Sequence, residues 1–436
     1  MARILFTVWP FPGHVNPALG VAKALQSRGH EVGFYTGARA VSLVEGEGFA
    51  AFPFRRIDEE RIWGLIQGLE ARSPIDRTPL KLLRAVFREW LAGTIPQQVA
   101  DVREVIAAWG PDAVVTDPMM WGPSLVLREA DHLRMAVMAF FIGCPLPGRE
   151  APPWGPGLPP PRSFGTRLLT RVANFANDIL ATGLRRELDS IRAGYGLPPM
   201  GCSVNAFSAR LPLYLIPSVR ELDYGRRDLP SSVHYVGPCI WNRPSGQAPD
   251  RWLEGLPGGQ PWVHVTEGTA HYQDPFVLRA AASGLAGLPV QAILTTGSQR
   301  DPEEMGLGAV ASNIHVRRWV SHSELLPRCA ALVTTGGAGT VMAAIQAGVP
   351  QLIVPTRWDK PDNARRVVEA GAGLRLAPGK CTPRRLREGV ERLLAEPEFG
   401  RNARRLSKLL AEAPGPTGAA QLIESLIGEP SVACPA

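Results

Sequence analysis

His14 and Asp117 are the two side chains of the N-terminal half with the chemistry and the placing to move a proton. His14 stands in Trp9-Pro10-Phe11-Pro12-Gly13-His14-Val15-Asn16-Pro17, a Pro/Gly-rich turn between a short apolar run, Ile4 to Val8, and a helical pattern. An imidazole exchanges a proton near neutral pH, which is what activating a hydroxyl nucleophile requires. The competing reading is a loop histidine that caps the following helix. Asp117 closes the run Ala113-Val114-Val115-Thr116. In a parallel sheet it would emerge on the same edge as His14, where a carboxylate can hold the far ring nitrogen and stabilise the imidazolium. Asp117-Pro118 is also a common turn start in its own right.

Two turns in the C-terminal half are suited to an anion. Thr334-Thr335-Gly336-Gly337-Ala338-Gly339-Thr340 joins an apolar run to a helical pattern beginning near Val341. Such a turn offers free backbone N–H groups and the positive end of a helix dipole, and its glycines let a phosphate come close. It lacks the Gly-Lys-Ser/Thr ending of the Walker pattern and is not a GxGxxG fingerprint. Glu267-Gly268-Thr269 is a second strand-end turn of the same kind, so the two could embrace one diphosphate. Tight packing is the competing reading of either turn alone.

The elements that must position these residues alternate between strand and helix. Strands are expected at Ile4 to Val8, Glu31 to Tyr35, Ala113 to Thr116, Met135 to Phe140, Leu211 to Ile216 and Val233 to Val236. Helical spacing runs from Pro17 to Ser27 and from about Thr166 to Gly196, with a loop from Pro10 to Asn16. The Pro/Gly-rich stretch Gly143 to Phe164 reads as a long surface loop. After a second such stretch the alternation restarts, with strands at Trp262 to Thr266, Gln291 to Thr295, Ile314 to Arg317, Ala331 to Thr334 and Gln351 to Val354. Helices are expected at Phe276 to Gly284, Val341 to Ala347 and Ala419 to Ile427. The fold class is therefore α/β, with two tandem doubly wound parallel-sheet domains of Rossmann-like type and a ligand cleft between them. The expected division is 1–241, a linker at 242–260, a second domain at 261–412, and a C-terminal segment at 413–436 that crosses back onto the first domain.

Composition narrows the class. Of 436 residues, 45% are hydrophobic, ample for a packed core. The 47 Lys+Arg against 40 Asp+Glu give a net charge of +7, but the arginines are dispersed or paired, which argues against a nucleic-acid partner. The six cysteines form no CxxC or Cys/His cluster, so neither a zinc site nor a disulfide framework is signalled. The N-terminal apolar run ends at Pro10 without a secretory signal's cleavage site, and no run reaches the length of a membrane span. A soluble, cytoplasmic protein is the expectation.

The set His14 in PFPGHVNP, Asp117 in VVTD, and RWVSHSELLPRCAALVTTGGAGTVMAAIQAGVPQLIVPTRWDKPDNARRVVEAGAG resembles a known family over nearly the whole chain. It is the large family of nucleotide-sugar-dependent, inverting glycosyltransferases with the glycosyltransferase-B fold, UDP-glycosyltransferase-like and of the bacterial natural-product (macrolide) type. The stretch from Trp319 to about Gly373 is similar to that family's donor signature. The resemblance implies that His14 is the general base and Asp117 its orienting partner. Trp319, followed by Val320, would stack on the nucleobase, and His322 falls where the family often has a glutamine near the ribose. Thr340 with Gly336, Gly337 and Gly339 would hold the pyrophosphate, approached by Gly268 and Thr269 from the other turn. Asp359 would accept hydrogen bonds from the sugar. Three departures bear on the donor. Thr335 replaces a phosphate-binding histidine, for which His271 could compensate; Ala343 replaces a ribose-binding glutamate; and Lys360 replaces a glutamine. The second leaves thymidine-diphosphate sugars open beside uridine ones.

No metal and no other cofactor is implied, because helix N-terminal N–H groups and hydroxyls would stabilise the leaving diphosphate and no Asp-x-Asp lies near the donor turn. The expected acceptor is a small hydrophobic molecule such as a polyketide, flavonoid, terpenoid or macrolide. Phe11, Trp63, Met120, Trp121 and Phe141, out of a larger set that includes Trp9, Phe87, Trp90, Met119, Phe140 and Trp154, are the candidates to line its pocket. Ordinary core packing is the competing reading for about half of that set. The alternatives to transfer are a nucleotide-sugar hydrolase or epimerase of the same fold, and a catalytically silent nucleotide-sugar-binding auxiliary protein.

Overall fold

The computed structural model describes residues 1–70, 80–241, 251–269, 274–297 and 300–428. Apolar runs of four to six residues fill its strands, and nearly all are buried, as strands covered by helices on both faces must be. The first sheet comprises β1 (Arg3–Thr7), β2 (Glu31–Thr36), β3 (Ala50–Pro53), β4 (Ala113–Thr116), β5 (Met135–Met138), β6 (Leu213–Ile216) and β7 (Val233–Tyr235). The second comprises β8 (Trp262–Thr266), β9 (Gln291–Thr295), β10 (Ile314–Arg317), β11 (Cys329–Thr334), β12 (Gln351–Ile353) and β13 (Gly373–Arg375). Every pairing is parallel.

Strand order decides where a ligand can sit. The first sheet runs β3-β2-β1-β4-β5-β6-β7 and the second β10-β9-β8-β11-β12-β13. The direction of winding therefore reverses between β1 and β4 and again between β8 and β11. Connections at such a reversal leave on opposite faces and open a crevice at the carboxyl ends of the strands. His14 follows β1, Asp117 follows β4, Glu267-Gly268-Thr269 follows β8, and the glycine turn follows β11. All four motifs stand at the two crevices.

β3 and β13 are edge strands of four and three residues, too short to stand out in sequence. The first helix begins at Pro12 rather than Pro17, because a proline fits the first helical turn, where its missing N–H leaves no bond unmade. His14 therefore belongs to a helical turn and not to a loop. The stretch 143–163 has no regular helix or strand, yet much of it is buried, including residues 143–146, Ala151, Gly157 and Pro160. It is an interdomain strap rather than a surface loop. The helix Lys360–Glu369 of the second domain inserts against it. Gly155 and Gly157 donate their N–H groups to the Asp362 carboxylate, and the Arg366 Nε reaches Asp223 Oδ1 at 2.7 Å. A Cβ on Gly143 would collide with that guanidinium, so a glycine is required where the arginine passes. Asp223 also accepts from Cys144 N at 2.7 Å and from the Tyr235 hydroxyl.

The C-terminal helix Gly415–Gly428 buries Ala419, Ala420, Ile423 and Leu426 in the same core cluster as Val15, Leu19 and Ala22 of the first helix. Burying Ile423 and Leu426 contributes about 2 kcal/mol each. Arg28 and His30 close the contact on Glu424 at 2.6 and 2.8 Å. Residues 242–250, the first nine of the expected linker, lie outside the described residues. Among the described residues no helix is long and apolar enough to cross a membrane.

Candidate active site

His14 and Asp117 meet. The imidazole Nδ1 is hydrogen-bonded to Asp117 Oδ2, and both side chains are buried or nearly so. The carboxylate is fixed in turn: its Oδ1 accepts from Met119 N at 2.6 Å, while Asp117 N donates to Thr7 O at 2.9 Å. A carboxylate on Nδ1 sets the tautomer that carries its proton there, which leaves Nε2 as the bare nitrogen able to accept one. The Phe140 ring lies over the imidazole with centroids 3.6 Å apart and planes at 24°, fixing the third coordinate of the histidine.

The wall beside the histidine is aromatic. Phe11 stacks on Trp63 at 5.4 Å and 18°, and meets Trp90 edge-on at 5.6 Å. Trp9 is held by its Nε1, which donates to Met119 O at 2.9 Å. The second domain contributes Trp358, which packs edge-on to Trp90 at 5.9 Å. Its φ of 63° is left-handed, a costly conformation for a bulky residue. Of the five acceptor candidates, Phe11 and Trp63 line the cleft half-buried, whereas Met120, Trp121 and Phe141 are sealed in the first domain's core. The sequence expectation is corrected there: the chain after Asp117 turns inward, and Phe141 packs behind Phe140 at 4.1 Å. Phe140, its half-buried neighbour, is the ring that reaches the histidine.

On the donor side the Trp319 indole is 55% exposed, its face open. Val320 is turned into the core with Leu253, Ile293 and Leu325, so it has only backbone to offer. His322 packs edge-on against the buried His264 at 5.4 Å, and burial lowers the pKa of both rings. Thr335 is also corrected: its hydroxyl is buried and donates to Glu267 O at 2.9 Å, tying one anion turn to the other instead of facing a phosphate. Gly337 and Gly339 have open space where a side chain would stand, and Thr340 lies in the first turn of the helix Ala338–Gln346. Gly268 at φ 74° and Gly336 at φ 93° adopt the left-handed backbone that these turns need. Thr269 is exposed beside Gly268, and His271 lies outside the described residues.

Two further residues, Asn363 and Arg300, are not singled out by the sequence motifs. Asn363 donates through its amide to Gly336 O at 2.9 Å and to Asp359 Oδ2 at 2.7 Å, joining the Asp359 carboxylate to the glycine turn. Burial raises the pKa of Asp359, opposed by that amide, by Lys360 and by the charge of His14 across the cleft. Lys360 itself is buried, next to Gly336. Glu267, in the Glu267-Gly268-Thr269 turn, forms a buried pair with Arg300 at 2.8 Å. Glu267 also accepts from Val277 N at 3.0 Å, which anchors that turn to the next helix. Among the described residues no group of three or more His, Cys, Asp or Glu side chains gathers as a metal site.

Comparisons with known proteins bear on the family and the fold. Residues 289–426 match the family described as erythromycin biosynthesis protein CIII-like, C-terminal domain. The chain is 33% identical over 428 residues to a 4'-demethylrebeccamycin synthase of Lentzea aerocolonigenes, covering 98% of this chain and all of that one. It is 26% identical over 437 residues to a demethyllactenocin mycarosyltransferase of Streptomyces fradiae, covering 98% and 87%. Among solved structures, the glycosyltransferase of kitacinnamycin superposes with a TM-score of 0.75 at 21% identity, covering 98% and 99%. The glycosyltransferase VinC in complex with DTDP gives 0.68 at 21% identity with the same coverage.

Proposed function

Since the chain belongs to the glycosyltransferases of natural-product pathways, with their two-domain parallel-sheet fold, we propose that it is an inverting enzyme moving a sugar from a TDP- or UDP-sugar to a hydroxyl of a small hydrophobic acceptor. The observation that carries this reading is the His14–Asp117 pair on one sheet's crevice facing the two anion turns on the other's. His14 Nε2 takes the proton of the acceptor hydroxyl, and Asp117 stabilises the imidazolium. The acceptor oxygen forms its bond to the anomeric carbon as the bond from that carbon to the phosphate oxygen breaks. The electron pair leaves with the nucleoside diphosphate. Backbone N–H groups around Gly337 and Gly339, with the hydroxyls of Thr340 and Thr269, stabilise the growing charge without a metal ion. Attack opposite the leaving group inverts the anomeric configuration.

Trp319 stacks on the nucleobase and Asp359 with Lys360 faces the sugar. Ala343 leaves the ribose position without a carboxylate, which favours a thymidine-diphosphate donor; the DTDP held by VinC supports that choice. The aromatic wall of Phe11, Trp63 and Trp90 suits a flat, apolar acceptor. Proton NMR of the product made from an α-linked TDP-sugar tests the stereochemistry. A β-linked product is expected; an α-linked one would overturn the direct displacement.

A further inference from the structure

The helix Phe164–Ala193 carries an apolar face that no described residue covers. Between Phe164 and Leu180 nearly every side chain is exposed, and only Thr170 is buried. Seven of the ten exposed large apolar residues among the described ones lie in this stretch. Phe164, Leu168, Val172, Phe175 and Ile179 recur at spacings of four, four, three and four, which sets them on one stripe of a 3.6-residue helix. The helix is held to the body at its other end, by buried Leu188, by Arg88 on Glu187 at 2.6 Å, and by Arg192 on Glu129 at 2.6 Å. An exposed helical stretch of this length is marginal in water without a partner to pack on.

We propose that the stripe is the docking surface for a second copy of this chain, the two helices lying antiparallel about a two-fold axis. The spacing is self-complementary in that arrangement. Val172 meets the second copy's Phe175, Leu168 meets its Ile179, and both layers recur by symmetry. Arg171 and Asp178, both exposed and neither ion-paired among the described residues, then flank the seam on one side. Each meets its opposite in the other copy, Arg171 to Asp178 and Asp178 to Arg171. On the other flank Leu169 faces Ala176. Phe164, Val172 and Phe175 are 83%, 58% and 68% exposed. Taken at roughly 150–200 Å² per large apolar residue, the seven exposed apolar side chains between Phe164 and Leu180 together amount to roughly 700 Å² per copy. That exceeds the roughly 300–600 Å² of a typical monomer's largest patch and approaches the roughly 800 Å² per partner of a stable interface. Flanks of both signs suit another protein helix better than an anionic bilayer, which would call for a basic polar face.

Sedimentation velocity on the full chain at micromolar concentration tests this. A dimer is expected for the wild type. Val172→Glu with Phe175→Glu should give a monomer whose circular dichroism and TDP binding are unchanged, since neither residue touches the body's core. Arg171→Asp and Asp178→Arg should each weaken the dimer roughly tenfold, because symmetry doubles the lost pair. The reciprocal double variant should restore wild-type association. A monomeric wild type overturns the proposal, whether or not it cosediments with equimolar phosphatidylglycerol and phosphatidylcholine vesicles. So does a dimer that survives the glutamates, or a double variant as weak as either single one.

Discussion

The two crevices are built at the same topological position and work with different atoms. The first, at β1 and β4, presents side chains: an imidazole, a carboxylate and an aromatic wall. The second, at β8 and β11, presents mostly backbone: two glycine turns and a helix N-terminus, stitched by Thr335 and Asn363. Proton transfer needs a titratable group held at one geometry, which only side chains provide. In the proposed reaction a diphosphate is met by N–H groups already aligned by the fold, and bulk beyond a hydrogen on Cα would stand in its way. One half is therefore specified by what its residues carry, the other by what its glycines omit.

The contact that brings the halves together should be the most sensitive to mutation. Asp223→Ala strands Arg366 as a buried, unpaired cation and should cost about 3–5 kcal/mol in thermal or chemical unfolding; an unchanged transition would show that the strap is dispensable. Asp362 adds a pH signature to the same contact. Burial raises its pKa to about 6, against the pull of Arg366 and the N–H groups of Gly155 and Gly157. The folded state then keeps the proton to higher pH than the unfolded chain does. Stability from this group is full below pH of about 4 and is lost as pH rises through about 6, a fall of about 2–3 kcal/mol. Asp362→Asn should abolish that decline in stability measured from pH 4 to 7, and a parallel profile in both proteins would contradict it.

Two substitutions separate the crevices' roles. Asp117→Asn releases the histidine tautomer and should lower kcat on the order of a hundredfold with little change in donor KM. Trp319→Ala should do the reverse, raising donor KM about tenfold at nearly constant kcat; an unchanged KM would remove the indole from the nucleobase.

Sequence made the backbone half easier to read than the side-chain half. Glycines between an apolar run and a helical pattern mark an anion turn without reference to anything distant, and strand alternation placed His14 and Asp117 on one edge. Side-chain direction is not local in that way. Met120, Trp121 and Phe141 follow strand ends as Phe140 does, yet the turn of the chain after each strand buries them and leaves Phe140 half-buried against the histidine. The strap at 143–163 reads as surface because prolines and glycines exclude regular structure, but its burial depends on Asp362 and Arg366 some 200 residues later. Thr335 lies in a turn suited to an anion, but its hydroxyl goes to Glu267 O, 68 residues away.

The division of labour is tested most directly by nucleoside-diphosphate release from TDP-glucose and UDP-glucose, with wild type and His14→Ala against phenolic, polyketide and terpenoid acceptors, and with donor binding measured by calorimetry on the same proteins. Acceptor-dependent release that falls a hundredfold or more in the variant while donor affinity holds is the expected result. Near-normal release by His14→Ala, or release by the wild type without any acceptor, would contradict it.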